Sequence, residues 1–131
     1  MIARTTVPAV TPWAESLCYS RAVRSGNFVA VSQTSAVDLQ GMISGGKDPY
    51  QQAVHALHNV EAALRAVGAE FGHVIRSRIY LARFEDLPEV AKAHAEVFRD
   101  ILPAVTILTC TMVAAEILVE FEVDAIVPDP A

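Results

Sequence analysis

The sequence predicts an α+β domain in which two helices pack on one face of a mixed β-sheet. Two observations lead to this class. Short segments alternate apolar and polar residues with a period of two, as strands do, and two longer segments repeat apolar residues every three or four positions, as helices do. The predicted order is strand, strand, helix, strand, helix, strand, strand. The 131 residues match the size of one domain, 1–131, in which residues 1–16 form an extended lead-in.

The first half of the chain contains two predicted strands and the first helix. Residues 17–23 and 28–35 are the strands, and the residues between them have the composition of a tight turn. Asp48 is a natural N-cap for the helix, and Pro49 suits its first position because the missing N–H needs no partner there. The apolar positions that follow at three- and four-residue steps are Ala53, Leu57, Val60, Leu64 and Val67.

The second half contains three predicted strands and the second helix. Residues 73–83, 104–113 and 116–127 are the strands, and residues 86–100 are the helix. One face of strand 73–83 carries Ile75, Ser77, Ile79 and Leu81, and the other carries Arg76, Arg78 and Tyr80. One face of strand 116–127 carries Val119, Phe121, Val123 and Ala125, and the other carries Glu120, Glu122 and Asp124. The apolar faces are expected to lie against the two helices.

The second face of the sheet is predicted to be partly charged and partly apolar. The charged residues are Arg76, Arg78, Glu120, Glu122 and Asp124, and the apolar ones are Val29, Val31, Val105 and Ile107. Such a face suits a subunit interface that retains a polar cavity, because pairing of Arg with Glu across strands offsets the desolvation of each charge.

The composition favours an obligate oligomer and argues against two classes of partner. Hydrophobic residues make up 53% of the chain, yet no run approaches the ~18–20 apolar residues of a membrane helix. Ten Lys and Arg against fifteen Asp and Glu give a net charge of −5 without a basic cluster, so neither nucleic acid nor a membrane is expected as a partner. Cys18 and Cys110 form no CxxC motif, which indicates reduced thiols in a cytoplasmic protein.

Several segments, at matching spacings, are similar to one known family. They are Tyr19-Ser20-Arg21-Ala22-Val23 before Gly26-Asn27, Val31-Ser32 with Asp38, the helix 51–68 with Asn59, Val74-Ile75-Arg76-Ser77 with Ile79-Tyr80-Leu81, Pro103-Ala104, and Val119-Glu120-Phe121-Glu122. Over nearly its whole length the chain resembles the Rid (YjgF-like) family, whose members are often called "L-PSP endoribonuclease".

The resemblance implies a chorismate-mutase-like protomer that assembles as a homotrimer, with a small-molecule cleft between each neighbouring pair of protomers. The best-studied members hydrolyse reactive imines and enamines of 2-amino acids to 2-keto acids and ammonia. They use neither a metal nor an organic cofactor, so the resemblance implies no cofactor here.

The family's cleft residues transfer only in part. Glu120 matches the glutamate that positions a hydrolytic water, and Tyr19 matches the tyrosine that lines the cleft. Ser32 matches the serine of a Val-Ser-Gly turn, whose glycine is Gln33 here. In the deaminases an arginine directly follows Pro-Ala and clamps the substrate carboxylate, whereas this chain has Val105 at that position.

Two further positions depart from the deaminases, since the cleft cysteine is Ile107 and an asparagine early in the second helix is Ala91. An apolar side chain cannot replace a guanidinium fork. The resemblance therefore implies an Arg-lacking branch of the family, in which ordinary 2-imino-acid deaminase activity is not expected.

Other polar residues have two interpretations each. Arg78 and Arg76 either bind an anion in a different pose or form salt bridges between strands or subunits. His94 is either an acid or base near the cleft or a buried structural residue. His55 and His58 share one helix face, but no third ligand accompanies them, so no metal site is expected.

Two function classes remain open from the sequence. The first is a cofactor-free hydrolase or deaminase of a reactive imine or enamine, in which Glu120 positions water and Tyr19, Ser32 and Arg78 shape recognition. The second is a non-catalytic protein that retains the trimeric cleft for binding a small molecule. Cleavage of RNA receives little support, because the chain is acidic.

Overall fold

The computed structural model describes residues 3–129 and confirms the α+β class with a mixed sheet. The strands in the described part of the chain are β1 Arg4–Pro8, β2 Ser20–Ser25, β3 Phe28–Thr34, β4 Val74–Leu81, β5 Ala104–Thr109 and β6 Val119–Ile126. The α-helices are α1 Ala14–Leu17, α2 Pro49–Ala66 and α3 Leu87–Phe98. No helix among residues 3–129 is both long and apolar enough to cross a bilayer.

The strands form one sheet in the order β1-β2-β3-β6-β4-β5. All neighbours are antiparallel except β4 and β5, which run parallel because α3 carries the chain back between them. In this order the last strand of the sequence, β6, lies near the centre of the sheet. Its neighbours, β3 and β4, come from opposite halves of the chain.

The N-terminal segment has more regular structure than the predicted extended lead-in. Residues 4–8 form β1 and pair with β2, and residues 14–17 form the short helix α1. The predicted strand 17–23 begins only at Ser20, since Cys18 ends α1 in a left-handed conformation with φ 58°. β1 lacks a period because it is an edge strand with little burial. The first two residues of the predicted lead-in lie outside the described residues.

Helix α2 begins as the sequence predicts. The Asp48 carboxylate accepts hydrogen bonds from the backbone N–H groups of Tyr50 and Gln51, at 3.0 and 3.3 Å, and Pro49 occupies the first helical position. At the other end, the guanidinium of Arg24 donates to the carbonyl of Val67, at 2.8 Å. The helix is therefore fixed to the sheet at its C-terminal end.

The predicted face of β4 is wrong at one position. Val74 is buried in the core, whereas Ile75 is 50% exposed. The pairing with β6 slips between Val74 and Arg76. This irregularity reverses the alternation before Arg76, and the rest of the strand keeps the predicted faces, with Ser77 fully buried.

The alternation of β6 agrees with the prediction, but the second face of the sheet is less apolar than expected. Val119, Phe121, Val123 and Ala125 are fully buried. Val29 and Val31 also lie in this core, which corrects their predicted place on the second face. They face the helices because their strand pairs in register with Val123 and Ala125 of β6.

Val105 and Ile107 also lie on a different side of the sheet from the one predicted. Their partners on β4 are Ser77 and Ile79, which point toward the helices. Paired residues of neighbouring strands share a face, so Val105 and Ile107 belong to the helix side of the sheet. They remain 43% and 45% exposed because β5 is an edge strand.

Candidate functional site

An open cleft of about 530 Å³ lies where the charged face of the sheet meets the N-terminal segment. Strands β2, β3, β4 and β6 contribute residues to it, as do α1 and the chain after β5. Its polar lining includes Tyr19, Arg21, Ser32, Gln33, Tyr80, Glu120 and Glu122. Four of the predicted site residues, Glu120, Tyr19, Ser32 and Gln33, are therefore brought together in one chain.

A β-bulge places Ser32 and Gln33 beside this cleft. The register of β3 against β6 slips between Val31 and Thr34, so two residues of β3 lie opposite one residue of β6. The Ser32 hydroxyl donates to the carbonyl of Ser20, at 2.7 Å, and so ties β3 to β2. The Gln33 amide instead reaches Glu120, where Nε2 donates to Oε1 at 2.9 Å.

Glu120 is only 7% exposed and lies on the central strand, paired with Tyr80 of β4. Burial raises the pKa of the Glu120 carboxyl, while the hydrogen bond from Gln33 and the charge of Arg21 act in the opposite direction. A carboxyl with a raised pKa, held at the wall of a cleft, is suited to exchange protons with a bound water or ligand.

Arg21 belongs to the same polar network, although it was not predicted as a site residue. Its Nη2 donates to the Tyr19 hydroxyl at 3.2 Å, and its Nη1 donates to the Gln33 carbonyl at 2.7 Å. The Tyr19 hydroxyl also hydrogen-bonds to the hydroxyl of Thr11. The available signal was its place beside the buried Ala22, which puts the charged side chain opposite the helix-facing side of β2.

Arg78, a predicted binding residue, is engaged elsewhere on the sheet. Its Nη1 lies 3.0 Å from Asp124 and 3.5 Å from Glu122, across the β4–β6 pair. The Tyr80 hydroxyl donates to Glu122 at 2.9 Å, and burial together with this bond raises the pKa of Tyr80 to about 12. Arg78 does not line the cleft, and its contacts are those of the salt-bridge alternative.

Val105 and Ile107, the other two predicted site residues, do not line the cleft within this chain. The register places them on the helix side of the sheet, whereas Glu120 pairs with Tyr80 on the charged side. Glu120 and these two side chains can therefore contribute to a single site only if they come from different protomers.

The histidines have structural surroundings. His94 Nε2 lies 3.0 Å from the Ser77 hydroxyl, and the ring packs 4.6 Å from Phe98 and 6.1 Å from Phe121, centroid to centroid. Burial lowers the pKa of His94, which favours its neutral form.

His55 and His58 line a second cavity of about 450 Å³ between α2 and the N-terminal segment. Within residues 3–129 no three His, Cys, Asp or Glu side chains form a group that could hold a metal.

Cys110 also lines the cleft, close to Glu120. Burial and the neighbouring Glu120 charge raise the pKa of its thiol. The reactive form of cysteine is the thiolate, so these surroundings oppose a nucleophilic role for Cys110.

The chain is thus a small α+β domain. Its mixed sheet carries a layer of helices, and a buried acid, Glu120, lies at its cleft. The family model described as Endoribonuclease L-PSP matches residues 12–127. The chain therefore belongs to this family, the Rid or YjgF family that its sequence segments resemble.

Relatives with similar chains extend this assignment. SCO2049, an uncharacterized protein of Streptomyces coelicolor, is 35% identical over 120 residues, which are 91% of this chain and 89% of the relative. A 2-iminobutanoate/2-iminopropanoate deaminase of Dermatophagoides farinae is 32% identical over 89 residues, which are 66% of this chain and 67% of that protein. Rv2704 of Mycobacterium tuberculosis, a member of the YjgF/YER057c/UK114 family, has a crystal structure that matches with a TM-score of 0.85 at 34% identity. The match covers 95% of this chain and 100% of that one.

Proposed function

We propose that this protein hydrolyses a small reactive imine or enamine without a cofactor. The observation that carries the proposal is the placement of Glu120, 7% exposed and hydrogen-bonded to Gln33, at a cleft that also contains the Tyr19 hydroxyl. The name of the Dermatophagoides farinae relative, an imine deaminase, supports the same reaction class.

In the proposed reaction Glu120 takes a proton from a water molecule as the water oxygen bonds to the carbon of the C=N group. That proton passes from Glu120 to the nitrogen and gives a carbinolamine. The hydroxyl proton of the carbinolamine is then transferred through Glu120 to the same nitrogen, the C–N bond breaks, and ammonia leaves as the C=O bond forms. An enamine first gains a proton on carbon and reacts as its imine. Water is the only co-reactant, and a raised pKa of Glu120 keeps its proton affinity within the range that such transfers need.

We propose that the working form is a homotrimer of this single domain. Glu120 and Tyr19 lie on one side of a protomer, while Val105 and Ile107 lie on the other side of its sheet, at the exposed edge strand β5. A neighbouring protomer supplies Val105 and Ile107 to the cleft in this arrangement. Because Val105 occupies the position of the family's carboxylate clamp, turnover of the smallest 2-imino acids is expected to be slow.

A second candidate function is small-molecule binding without turnover. It is favoured by one contact, the hydrogen bond in which Gln33 occupies an oxygen of Glu120, at 2.9 Å. A carboxylate engaged in this way is less available to a water molecule, and the family's turn has glycine in place of Gln33.

The test is ammonia release from freshly generated imines and enamines, starting with 2-aminoacrylate and extending to those with larger apolar side chains. We expect slow release from 2-aminoacrylate, faster release from a larger substrate, and a loss of at least roughly 100-fold in Glu120→Gln, the range for general acid–base groups. The control is Glu116→Gln, which removes an exposed carboxylate outside the cleft. Background rates with every imine would favour the binding function, and activity indifferent to Glu120→Gln would contradict the assigned role.

A further inference from the structure

Arg21 is a half-buried cation whose charge is not paired inside the described chain. Among residues 3–129, no carboxylate oxygen lies within salt-bridge distance of its guanidinium, although six other pairs in that range do form. The charge of Arg21 is felt by Glu120, whose pKa it lowers, but the two side chains form no ion pair. A carboxylate in direct contact with the guanidinium would therefore have to come from outside this set of residues.

The hydrogen bonds of Arg21 leave part of its fork free. Nη1 donates to the carbonyl of Gln33 and the hydroxyl of Thr34, and Nη2 donates to the hydroxyl of Tyr19. A guanidinium carries five N–H donors in a rigid plane, so Nε–H and one Nη2–H have no partner among the described residues. Two N–H groups on one planar fork match the two oxygens of a carboxylate.

The cleft that contains this fork also has apolar residues in its walls. The apolar side chains that line it are Trp13, Leu17, Met112 and Val113. Among the described residues that line the cleft, Arg21 is the one with a positive charge. Two carboxyls, Glu120 and Glu122, line it as well. A ligand with a second negative charge would meet these acids, whereas one negative charge on an apolar body matches both the fork and the walls.

We propose that Arg21 is the anion-binding residue of this cleft and that its ligand is a monoanion carried on an apolar body. This rests on the proposed function, since it names the class of molecule that the cleft with Glu120 accepts. The anion approaches from β2, on the Tyr19 side, and not from the β5 position at which Val105 stands. Arg78 is excluded from this role by its contacts with Asp124 and Glu122, at 3.0 and 3.5 Å.

The experiment compares two unreactive probes that differ in charge, phenylacetate and phenylacetamide, by titration of the full chain. We expect wild type to bind phenylacetate at least tenfold more tightly than phenylacetamide. Arg21→Gln is expected to remove this preference while leaving the dissociation constant of phenylacetamide within twofold. The matched control is Arg65→Gln, which removes a cation whose side chain is 69% exposed on α2. An absent preference in wild type, or a preference retained by Arg21→Gln, would overturn the proposal.

Arg21→Lys decides the question if the glutamine variant does not fold. Lysine keeps the charge but not the planar fork, so the preference for phenylacetate should fall below that of wild type. An unchanged preference would count against the fork. A resonance map of wild type adds a test without substitution. Phenylacetate should shift the backbone signals of Tyr19, Gln33 and Glu120, and shifts confined to His58 and Ala62 would place the anion in the second cavity, which Arg21 also lines.

The binding readout separates this proposal from the proposed reaction. Glu120→Gln should retain the preference for phenylacetate even though it loses turnover, because it removes a negative charge and not the cation. A protein that prefers the anion but hydrolyses no imine would refute the reaction alone. A protein that hydrolyses imines with no preference for the anion would refute the role of Arg21 alone.

Discussion

Glu120 carries an ionisable carboxyl in a position where water reaches it poorly. Desolvation opposes the charged form and raises the pKa, and this effect exceeds the opposing effects of the Gln33 hydrogen bond and the Arg21 charge. The folded state therefore holds the Glu120 proton more tightly than the unfolded state does. The same burial that suits the group for proton exchange makes its ionised form unfavourable for folding.

The free energy of unfolding should therefore depend on pH through Glu120. Because the folded-state pKa of Glu120 is raised, its contribution to the free energy of unfolding falls as the pH rises from the unfolded value, about 4.5, through the folded one. Glu120→Gln removes this loss, so the variant should be more stable than wild type at pH 8 and gain nothing at pH 4. Denaturant unfolding at several pH values measures the difference.

The control for this prediction is Glu116→Gln, an exposed carboxylate on the loop before β6. Its effect should be small and should not grow with pH. If Glu120→Gln were destabilising, and more so at pH 8 than at pH 4, the glutamate would be held by contacts of its ionised form, and burial would not be the dominant cause.

At the scale of elements, one buried side chain of α2 joins the loop just before this helix to the loop before β6, which is distant in sequence. Gln52 is fully buried, and its Nε2 donates to the carbonyls of Gly46 and Glu116, at 2.6 and 2.8 Å. Its Oε1 accepts from the backbone N–H of Leu118, at 2.9 Å. The amide thus satisfies backbone groups of two loops, one before α2 and one before β6. Gly45 allows this loop to lie close to the first turn of α2, since a Cβ at position 45 would be 2.7 Å from the backbone nitrogen of Gln52.

Gln52→Leu should be destabilising despite its apolar gain. The substitution removes hydrogen bonds to three part-buried backbone groups, each worth about 0.5–1.5 kcal/mol, so a total loss of roughly 1.5–4.5 kcal/mol is expected before the apolar gain. Gln51→Leu is the matched control, because Gln51 is exposed one position earlier on the same helix. It should change stability by less than about 0.5 kcal/mol. Equal unfolding midpoints for the two variants would show that the loops do not depend on Gln52.

At the scale of the whole molecule, the least covered part of the sheet is its β5 edge. Every residue of β5 is exposed, including Val105, Ile107 and Leu108 at 43%, 45% and 38%. An edge strand with apolar side chains and unpaired backbone groups invites association with another chain. This exposed edge supports the proposed trimer. In the trimer it would supply Val105 and Ile107, which do not line the cleft of their own protomer, to the cleft of a neighbouring one.

A charge at this edge should therefore break the assembly. Ile107→Glu is expected to convert a trimer in solution to a monomer, since it buries a carboxylate in the proposed interface. The matched control is Leu39→Glu, which changes a side chain that is 96% exposed on a loop and should leave the mass unchanged. Sedimentation equilibrium distinguishes the two results. A monomeric wild type, or an Ile107→Glu variant that stays trimeric, would contradict the proposed interface.

The features that were predicted correctly are those that a few neighbouring residues encode. The alternation of β6 fixed which of its side chains are buried, and Asp48-Pro49 fixed where α2 begins, because period and capping act over one or two turns of chain. The resemblance of several segments was enough to identify the family, and four of the predicted site residues lie together at one cleft.

The contacts between polar and charged side chains depend on how distant strands pair. Gln33 and Glu120 are 87 positions apart in sequence. Their contact depends on a bulge in β3, which the alternation of residues in that strand does not predict. The slip before Arg76 likewise moved Ile75 to the surface. Arg78 is paired across strands while Arg21 is left with free donors at the cleft, and Val105 faces away from Glu120. These outcomes depend on strand register and bulges, which are set by pairing between distant segments and so cannot be read from any one of them.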